Sequence, residues 1–283
     1  MRLANSLGRS ALPNLITIGA MKSGTTSLHY YLDQHPDIAM SRQKELDFFS
    51  GGSWEKGLDW YAEQFDPSAP VRGESSPSYT RHPTHTGVAE RMHAVIPEAK
   101  LIYLVRDPLA RIVSHYVHNY SIGREERPIS AVLADPSCYH YIETSKYFSQ
   151  LEQYLAFFPR SRILVLTYDE LLHDRAATLR HVFDFLAVDS SFDDPKFERL
   201  RHRTSDRRRK TRLGKTLAAT TRRVEFPDWL SFQVQKRLPY PFARRIERPA
   251  VNGALRERLT GELQDDADRL RELTGKEFPG WCV

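Results

Sequence analysis

Three short runs constrain this chain most: Leu15-Ile-Thr-Ile-Gly-Ala20, Lys100-Leu-Ile-Tyr-Leu-Val105 and Arg162-Ile-Leu-Val-Leu-Thr167. Each is largely apolar, carries β-branched residues and shows no polar/apolar alternation. Strands written this way are buried on both faces, as in parallel sheets layered between helices. Helical period follows each run. Ser27–Gln34 puts Leu28, Tyr31 and Leu32 on one stripe and stops before Pro36. Asp107-Pro108 supplies an N-cap and a first-turn proline for a helix over about Leu109–Tyr120. Tyr168-Asp169 leads into a helix over Glu170–Asp174, and Leu179, Val182, Phe183 and Leu186 mark another. Leu255, Leu259, Leu263, Leu270 and Leu273 keep helical spacing until Gly275, a C′ stop. The pattern predicts one α/β domain: a central parallel sheet covered by helices on both faces.

A chain of 283 residues that is 40% hydrophobic can fill such a core without metal or disulfide staples. The domain is expected over residues 14–283, after a flexible N-terminus over 1–13. Cys138 and Cys282 cannot make a disulfide framework, and no Cys/His spacing suits zinc, so no metal is expected. No apolar run reaches the roughly 18 residues of a membrane span, and Met1–Pro13 has no continuous apolar h-region. These features predict a soluble, cytoplasmic protein.

Charge is unevenly placed. Between Arg199 and Arg223, eleven Arg/Lys face one acid, Asp206; that stretch is +10, and with a net charge of +5 the rest of the chain carries −5. The region 199–248 reads as basic and partly irregular, looping over the sheet's edge. It is either a local anion site or mobile basic loop, or a solvated segment. A nucleic-acid-binding module would spread such charge over a face and interleave aromatics for stacking, which this stretch lacks.

The segment richest in chemistry is Gly19-Ala-Met-Lys22-Ser23-Gly24-Thr25-Thr26-Ser27. It joins a strand to a helix through a glycine-containing loop dense in hydroxyls. Amides at a helix N-terminus have no intrahelical partner and lie at the positive end of the dipole, so they bind phosphate. Thr25, Thr26 and Ser27 add hydroxyl donors and Lys22 a point charge. A Walker A loop ends in Gly-Lys-[Ser/Thr]; here Lys22 precedes Gly24, which argues against that motif. A helix cap alone would also explain the hydroxyls.

Lys22-Ser-Gly-Thr-Thr-Ser-Leu28 resembles the 5′-phosphosulfate loop of sulfotransferases that use 3′-phosphoadenosine 5′-phosphosulfate (PAPS), in particular the heparan-sulfate-type carbohydrate sulfotransferases and their bacterial relatives. Further segments agree in order. His35-Pro36 follows the first helix. Lys44-Glu45-Leu-Asp47-Phe48-Phe49 resembles the family's Lys-Glu-x-x-Phe-Phe, and Gly73-Glu74-Ser-Ser-Pro77-Ser-Tyr79 its Glu-Lys-Ser-Pro-x-Tyr. Arg106-Asp-Pro108-Leu-Ala-Arg111-Ile-Val-Ser114-His-Tyr116 resembles the 3′-phosphate motif. The resemblance runs from about Leu15 to Asp174 and returns near Gly275–Trp281.

The resemblance implies a PAPS-dependent sulfotransferase that needs no metal and releases adenosine 3′,5′-bisphosphate. The acceptor would be a hydroxyl or amine of a small molecule, lipid-linked sugar or glycan. Lys22, Ser23, Gly24, Thr25, Thr26 and Ser27 would hold the 5′-phosphosulfate, with Lys22 also stabilising the leaving phosphate oxygen. Arg106 and Ser114 would hold the 3′-phosphate; Arg111 reads as structural. Glu45 matches the family's catalytic glutamate and is the candidate general base, its alternative being an ion pair with Lys44. His118 matches an acceptor-side histidine of the N-sulfotransferase branch, or is a satisfied surface histidine; Glu74 is a further candidate. Arg207, Arg208, Arg209 and Lys210 stand where a late basic loop of the family closes over the nucleotide.

Two departures bear on the acceptor. Asp47 stands where O-sulfotransferases of this group often carry His, and Ser75 where many carry Lys. The cysteines do not reproduce the disulfide of the Golgi enzymes, and the expected source is bacterial. The rival readings are an ATP-dependent kinase or P-loop NTPase, with Ile163–Asp169 imitating a Walker B strand, and the nucleic-acid-binding module.

Overall fold

The computed structural model describes residues 11–198, 208–210, 243–251 and 253–283. Within them, five strands form one sheet: β1 (Leu15–Gly19), β2 (Ile38–Met40), β3 (Val71–Ser75), β4 (Lys100–Val105) and β5 (Ile163–Thr167). They lie in the order β2-β3-β1-β4-β5, and every pairing is parallel. The three apolar runs are thus the three adjacent strands β1, β4 and β5. Their double-sided burial shows in β4: Leu101, Tyr103 and Val105 join the apolar layer on one face, Ile102 and Leu104 the layer on the other. The sheet and its flanking helices make a single α/β domain, as the strand pattern predicts.

Helix α1 (Thr25–Leu32) buries Leu28, Tyr31 and Leu32 against one face. On the other face α3 (Val88–Val95) contributes Met92, and α7 (Tyr147–Leu155) contributes Tyr147, Leu151 and Tyr154. The connection between β2 and β3 holds α2 (Gly57–Ala62). Helix α4 (Pro108–Ile122) starts as expected: the Asp107 carboxylate accepts from Ala110 N at 2.6 Å, with Pro108 in the first position. The other Asp107 oxygen accepts from Cys282 N at 2.7 Å and ties down the C-terminal segment. Arg111 is structural: fully buried, it donates from Nε to Ser145 Oγ and from Nη2 to the Tyr141 carbonyl, each at 2.5 Å.

Helices α5 (Ile129–Ala134) and α6 (His140–Glu143) pack with α4 and with the last helix in a third cluster. After β5 come α8 (Tyr168–His173) and α9 (Arg175–Leu186). The last helix, α10 (Gly253–Thr274), ends at Gly275, whose φ of 67° and N–H to Arg271 O bond of 2.8 Å make the expected stop.

Two strands lack the apolar signature. β2 has three residues, and Val71-Arg-Gly-Glu-Ser75 interrupts its apolar positions with Arg72 and Glu74. Arg72 is satisfied locally, donating to Leu12 O at 3.0 Å and Ala69 O at 2.6 Å. Of the expected N-terminal segment, residues 1–10 lie outside the described residues; Leu12 is already buried. Of the basic region, Arg208–Lys210 (β6) pairs antiparallel with Ala243–Arg245 (β7), and β6 runs beside α4. Arg207 and most of 199–248 lie outside the described residues. Among the described residues, no helix is long and apolar enough to cross a membrane.

Candidate active site

Strand order decides where a site can form. After β1 the chain moves toward β2 and β3; after β4 it moves the other way, to β5. The C-terminal ends of β1 and β4 therefore flank the topological switch point, where open α/β sheets bind ligands. The phosphate loop leaves β1, and Arg106 leaves β4. Ala20 N–H donates to Leu104 O at 2.7 Å, so the two strand ends are laced together.

The loop turns through Lys22, at φ 75°, and Gly24, at φ 101°. Gly24 is the N-cap of α1, and among the described residues no side chain caps that end. The amides of Thr25 and Thr26, in the first turn, have no intrahelical acceptor in reach and are left for an anion. A side chain at Gly24 would press on Tyr168, its Cβ 3.0 Å from Tyr168 Cδ2. Ser23, Thr25 and Ser27 are buried. Among the described residues, Ser23 Oγ makes no hydrogen bond of good geometry, though the buried Tyr147 hydroxyl lies near it. An uncapped helix end, a lysine and an unsatisfied buried hydroxyl are what a phosphate group would complete, so these residues fit the 5′ end of PAPS.

Arg106 sits at the next strand end, its guanidinium 4.5 Å above the Tyr168 ring. That ring is the one against Gly24, so a single aromatic side chain borders both candidate pockets. Ser114 lies about two turns into α4 and is buried. Of Arg207 to Lys210, expected to close over the nucleotide, Arg207 lies outside the described residues and Arg208–Lys210 form β6; a further cation near Arg106 is Arg248. Arg248 donates to Ala110 O at 3.4 Å, and burial followed by the neighbouring Arg106 charge pushes its pKa down. Its signal in the sequence was only its membership of a long basic region.

On the far side of β1, Glu45 N–H donates to Ser75 O at 3.1 Å, which fixes the Glu45 loop to the end of β3. The Glu45 carboxylate is half-exposed and meets Lys44 Nζ at 2.5 Å, so the ion pair weighed as its alternative role is present. Asp47 accepts from Ser78 Oγ at 2.5 Å; burial raises its pKa against that bond. His29, on α1, was not singled out in the sequence. Its Nδ1 lies 3.0 Å from Ser75 Oγ, and burial, then the Lys44 charge, pushes its pKa down to about 4, so the ring is neutral.

Glu74 is fully buried, with its pKa raised to about 7 by desolvation. Arg81 flanks Asp47, Arg124 and Tyr139, and its buried Nε finds no partner among the described residues. His118 lies on α4, one turn beyond Ser114 and near His115. It belongs to the β4 side of the sheet, whereas Glu45 is tied to β3, with β1 between them.

The Walker B imitation dissolves in three dimensions. β5 ends at Thr167, which caps α8 through a reciprocal Thr167–Glu170 box, and Asp169 falls inside the first turn of that helix. Among the described residues, no three His, Cys, Asp or Glu side chains converge as a metal site would need.

Comparison with known proteins agrees with the geometry. Over 110 residues the chain is 42% identical to the membrane-associated sulfotransferase kil1 of Dictyostelium discoideum, covering 37% of this chain and 22% of that protein. Over 203 residues it is 34% identical to heparan sulfate glucosamine 3-O-sulfotransferase 3B1 of Mus musculus, covering 67% of this chain and 50% of the relative. The chain thus spans half or less of the length of these curated relatives. A crystal structure of a sulfotransferase from Alicyclobacillus acidocaldarius superposes with a TM-score of 0.67 at 25% identity, covering 99% of this chain and 100% of that one. A family model described as "Sulfotransferase domain" matches residues 12–236, and on that match the chain belongs to the PAPS-dependent sulfotransferase family.

Proposed function

We propose that this chain moves a sulfuryl group from PAPS to a hydroxyl or amine of a small-molecule, lipid-linked or carbohydrate acceptor. The observation that carries the reading is the order β3-β1-β4: an uncapped phosphate loop on the middle strand, a phosphate-binding arginine on one neighbour and a carboxylate loop on the other. PAPS, when bound, supplies an activated sulfuryl group on a phosphate leaving group. The chain's part is positioning and electrostatics, which dominate transfers of this kind.

Lys22 and the Thr25 and Thr26 amides hold the 5′ end, and Lys22 stabilises charge on the departing oxygen. Arg106, Ser114 and Arg248 hold the 3′-phosphate, Arg106 by a forked grip that Tyr168 keeps flat. Glu45 takes the acceptor's proton. Its ion pair with Lys44 engages Oε1 and leaves Oε2 to face the acceptor. His118, on the α4 side, would reach only an extended acceptor. A carbohydrate hydroxyl is the acceptor we favour, in line with the named 3-O-sulfotransferase relative. We place the reaction in the bacterial cytoplasm; both cysteines are free, as a reducing compartment would keep them.

The test is mass-spectrometric detection of an added sulfonate on hydroxyl, amine and glycan compounds incubated with PAPS. Lys22→Ala should abolish transfer. Glu45→Gln should lower kcat by about 10²–10⁴-fold while adenosine 3′,5′-bisphosphate still binds. Equal loss of nucleotide binding would make Glu45 structural, and near-normal turnover by Lys22→Ala would remove Lys22 from the mechanism.

A further inference from the structure

The loop bearing Glu45 is held in a shape its residues do not choose. Neither Glu45 nor Asp47 is glycine, yet they sit at φ 64° and 51°. Such backbone persists only where the surroundings over-determine it. Two of the loop's amides are held by hydroxyls: Asp47 N–H donates to Ser76 Oγ at 3.1 Å, and Phe49 N–H to the Tyr79 hydroxyl at 3.3 Å. Both hydroxyls in turn donate to one buried carboxylate. Ser76 Oγ reaches Glu74 Oε2 at 2.8 Å and the Tyr79 hydroxyl reaches Oε1 at 2.7 Å, where the Tyr61 hydroxyl also donates at 2.6 Å. Having given their protons to Glu74, Ser76 and Tyr79 present lone pairs to the loop.

We infer that Glu74 is a positioning residue for Glu45: as a carboxylate it fixes which way the Ser76 and Tyr79 hydroxyls point, and through them the loop that carries the base. The inference rests on the reading of Glu45 as the proton acceptor, while the loop's order can be measured without it.

Among the described residues, the titratable groups facing Glu74 are Tyr61 from α2, Tyr79 from the turn after β3, Asp47 from the loop and Tyr154 from α7. Burial brings the Glu74 pKa to about 7, and the three donors hold it from rising further. Above that pH the carboxylate accepts from all three. As pH falls through it, Glu74 gains a proton and becomes a donor at one oxygen, so one of the three hydroxyls has to turn. Oε1 already accepts two bonds and Oε2 one, so the proton settles on Oε2 and it is Ser76 that turns, aiming its own proton away from the carboxyl and competing with the Asp47 amide. Order in the loop is full above about pH 7 and is lost below it.

Hydrogen exchange of the Asp47 and Phe49 amides in the full chain reads this directly, with no acceptor needed. After correction for the intrinsic rate, protection should fall below pH 7. Glu74→Gln, which keeps the volume and stands for the protonated form, should lose about tenfold in protection at pH 8, the worth of one charged-group hydrogen bond, and show no inflection. Tyr61→Phe removes a donor to the charged carboxyl without touching either loop amide, so the inflection should move to higher pH. With the best acceptor from the sulfonation panel, kcat should follow the same profiles while KM for PAPS stays within about twofold. Flat protection across pH 7 in the unmodified chain, or a Tyr61→Phe profile that coincides with it, overturns the role of Glu74. Glu45→Gln with full kcat, alongside the expected exchange profiles, instead overturns the role of Glu45 and leaves Glu74 as the anchor of a loop with another use.

Discussion

Replacing Gly24 with alanine should weaken nucleotide binding at both ends of the donor, because the added methyl acts through Tyr168. At φ 101° an L-residue is strained by about 1–2 kcal/mol. The Cβ would stand 3.0 Å from Tyr168 Cδ2 and 3.4 Å from Leu104 Cδ2. Carbon contacts are comfortable at about 3.5–4.0 Å, so the ring has to retreat by about half an ångström. That ring carries the Arg106 guanidinium at 4.5 Å, so its retreat misaims the 3′-phosphate grip while the helix start shifts under the 5′ end. Backbone strain and crowding together cost folding about 2–3 kcal/mol, or roughly 3–5 °C in Tm. Losing one charge-assisted hydrogen bond in each pocket would lower affinity for adenosine 3′,5′-bisphosphate by about 100-fold. Thermal melts and isothermal titration of the variant, alone and with Tyr168→Ala, measure the two effects. In the Tyr168→Ala background the crowding disappears, and the alanine should cost only its backbone part. Affinity within twofold of the unmodified chain, or strict additivity of the two substitutions, would refute the claim that Tyr168 couples the pockets.

Arg106→Ala should lower affinity for adenosine 3′,5′-bisphosphate by about 10–100-fold and leave adenosine 5′-monophosphate binding unchanged; equal losses on the two ligands would move Arg106 off the 3′-phosphate. Arg248→Ala should weaken the same nucleotide by about threefold to tenfold, an effect that shrinks at high salt because this side chain is only partly buried; no change would place Arg248 outside the pocket. His29 has its pKa lowered by burial to about 4 from about 6.5 unfolded, so its neutral form favours the fold. Stability should therefore be full above pH 6.5 and decline as pH falls toward 4, and His29→Asn should flatten that decline by on the order of 2–3 kcal/mol in denaturant titrations at pH 4. Parallel pH profiles would mean that the imidazole is not what titrates.

The sheet was legible where burial is two-sided. β1, β4 and β5 sit in the centre and on the β5 flank, and their side chains have no choice but to be apolar on alternate positions and apolar again between them. β2 and β3 escaped because β2 is too short for a pattern and β3 spends two of its five positions on Arg72 and Glu74. Those two residues are tolerated in a strand because each finds polar partners: Arg72 in the carbonyls of Leu12 and Ala69, Glu74 in three hydroxyls. Ala69, Ser76 and Tyr79 stand close by in the sequence, but Leu12 and the Tyr61 of α2 come from segments that no short window around β3 contains. The caps, by contrast, were legible because capping is local: Asp107 and Gly275 do within a few residues what their types predict.

For the site, the two ends expected for the donor pocket are each local to one strand–loop–helix, but their adjacency is not, since β1 and β4 are some eighty residues apart in sequence and neighbours only through the order β3-β1-β4. That order also explains how the two departures from the family pattern can be absorbed. Ser75 and Asp47 both belong to the β3 side, where Ser75 is met by His29 and Asp47 by Ser76 and Ser78. The phosphate loop and Arg106 draw their geometry from β1, β4 and the Tyr168 ring instead. A change of acceptor chemistry on one flank therefore need not disturb the donor pocket on the other. His29 bridges the two, rising from the donor helix to bond the β3 side, and substitutions there should alter acceptor preference before they alter nucleotide affinity.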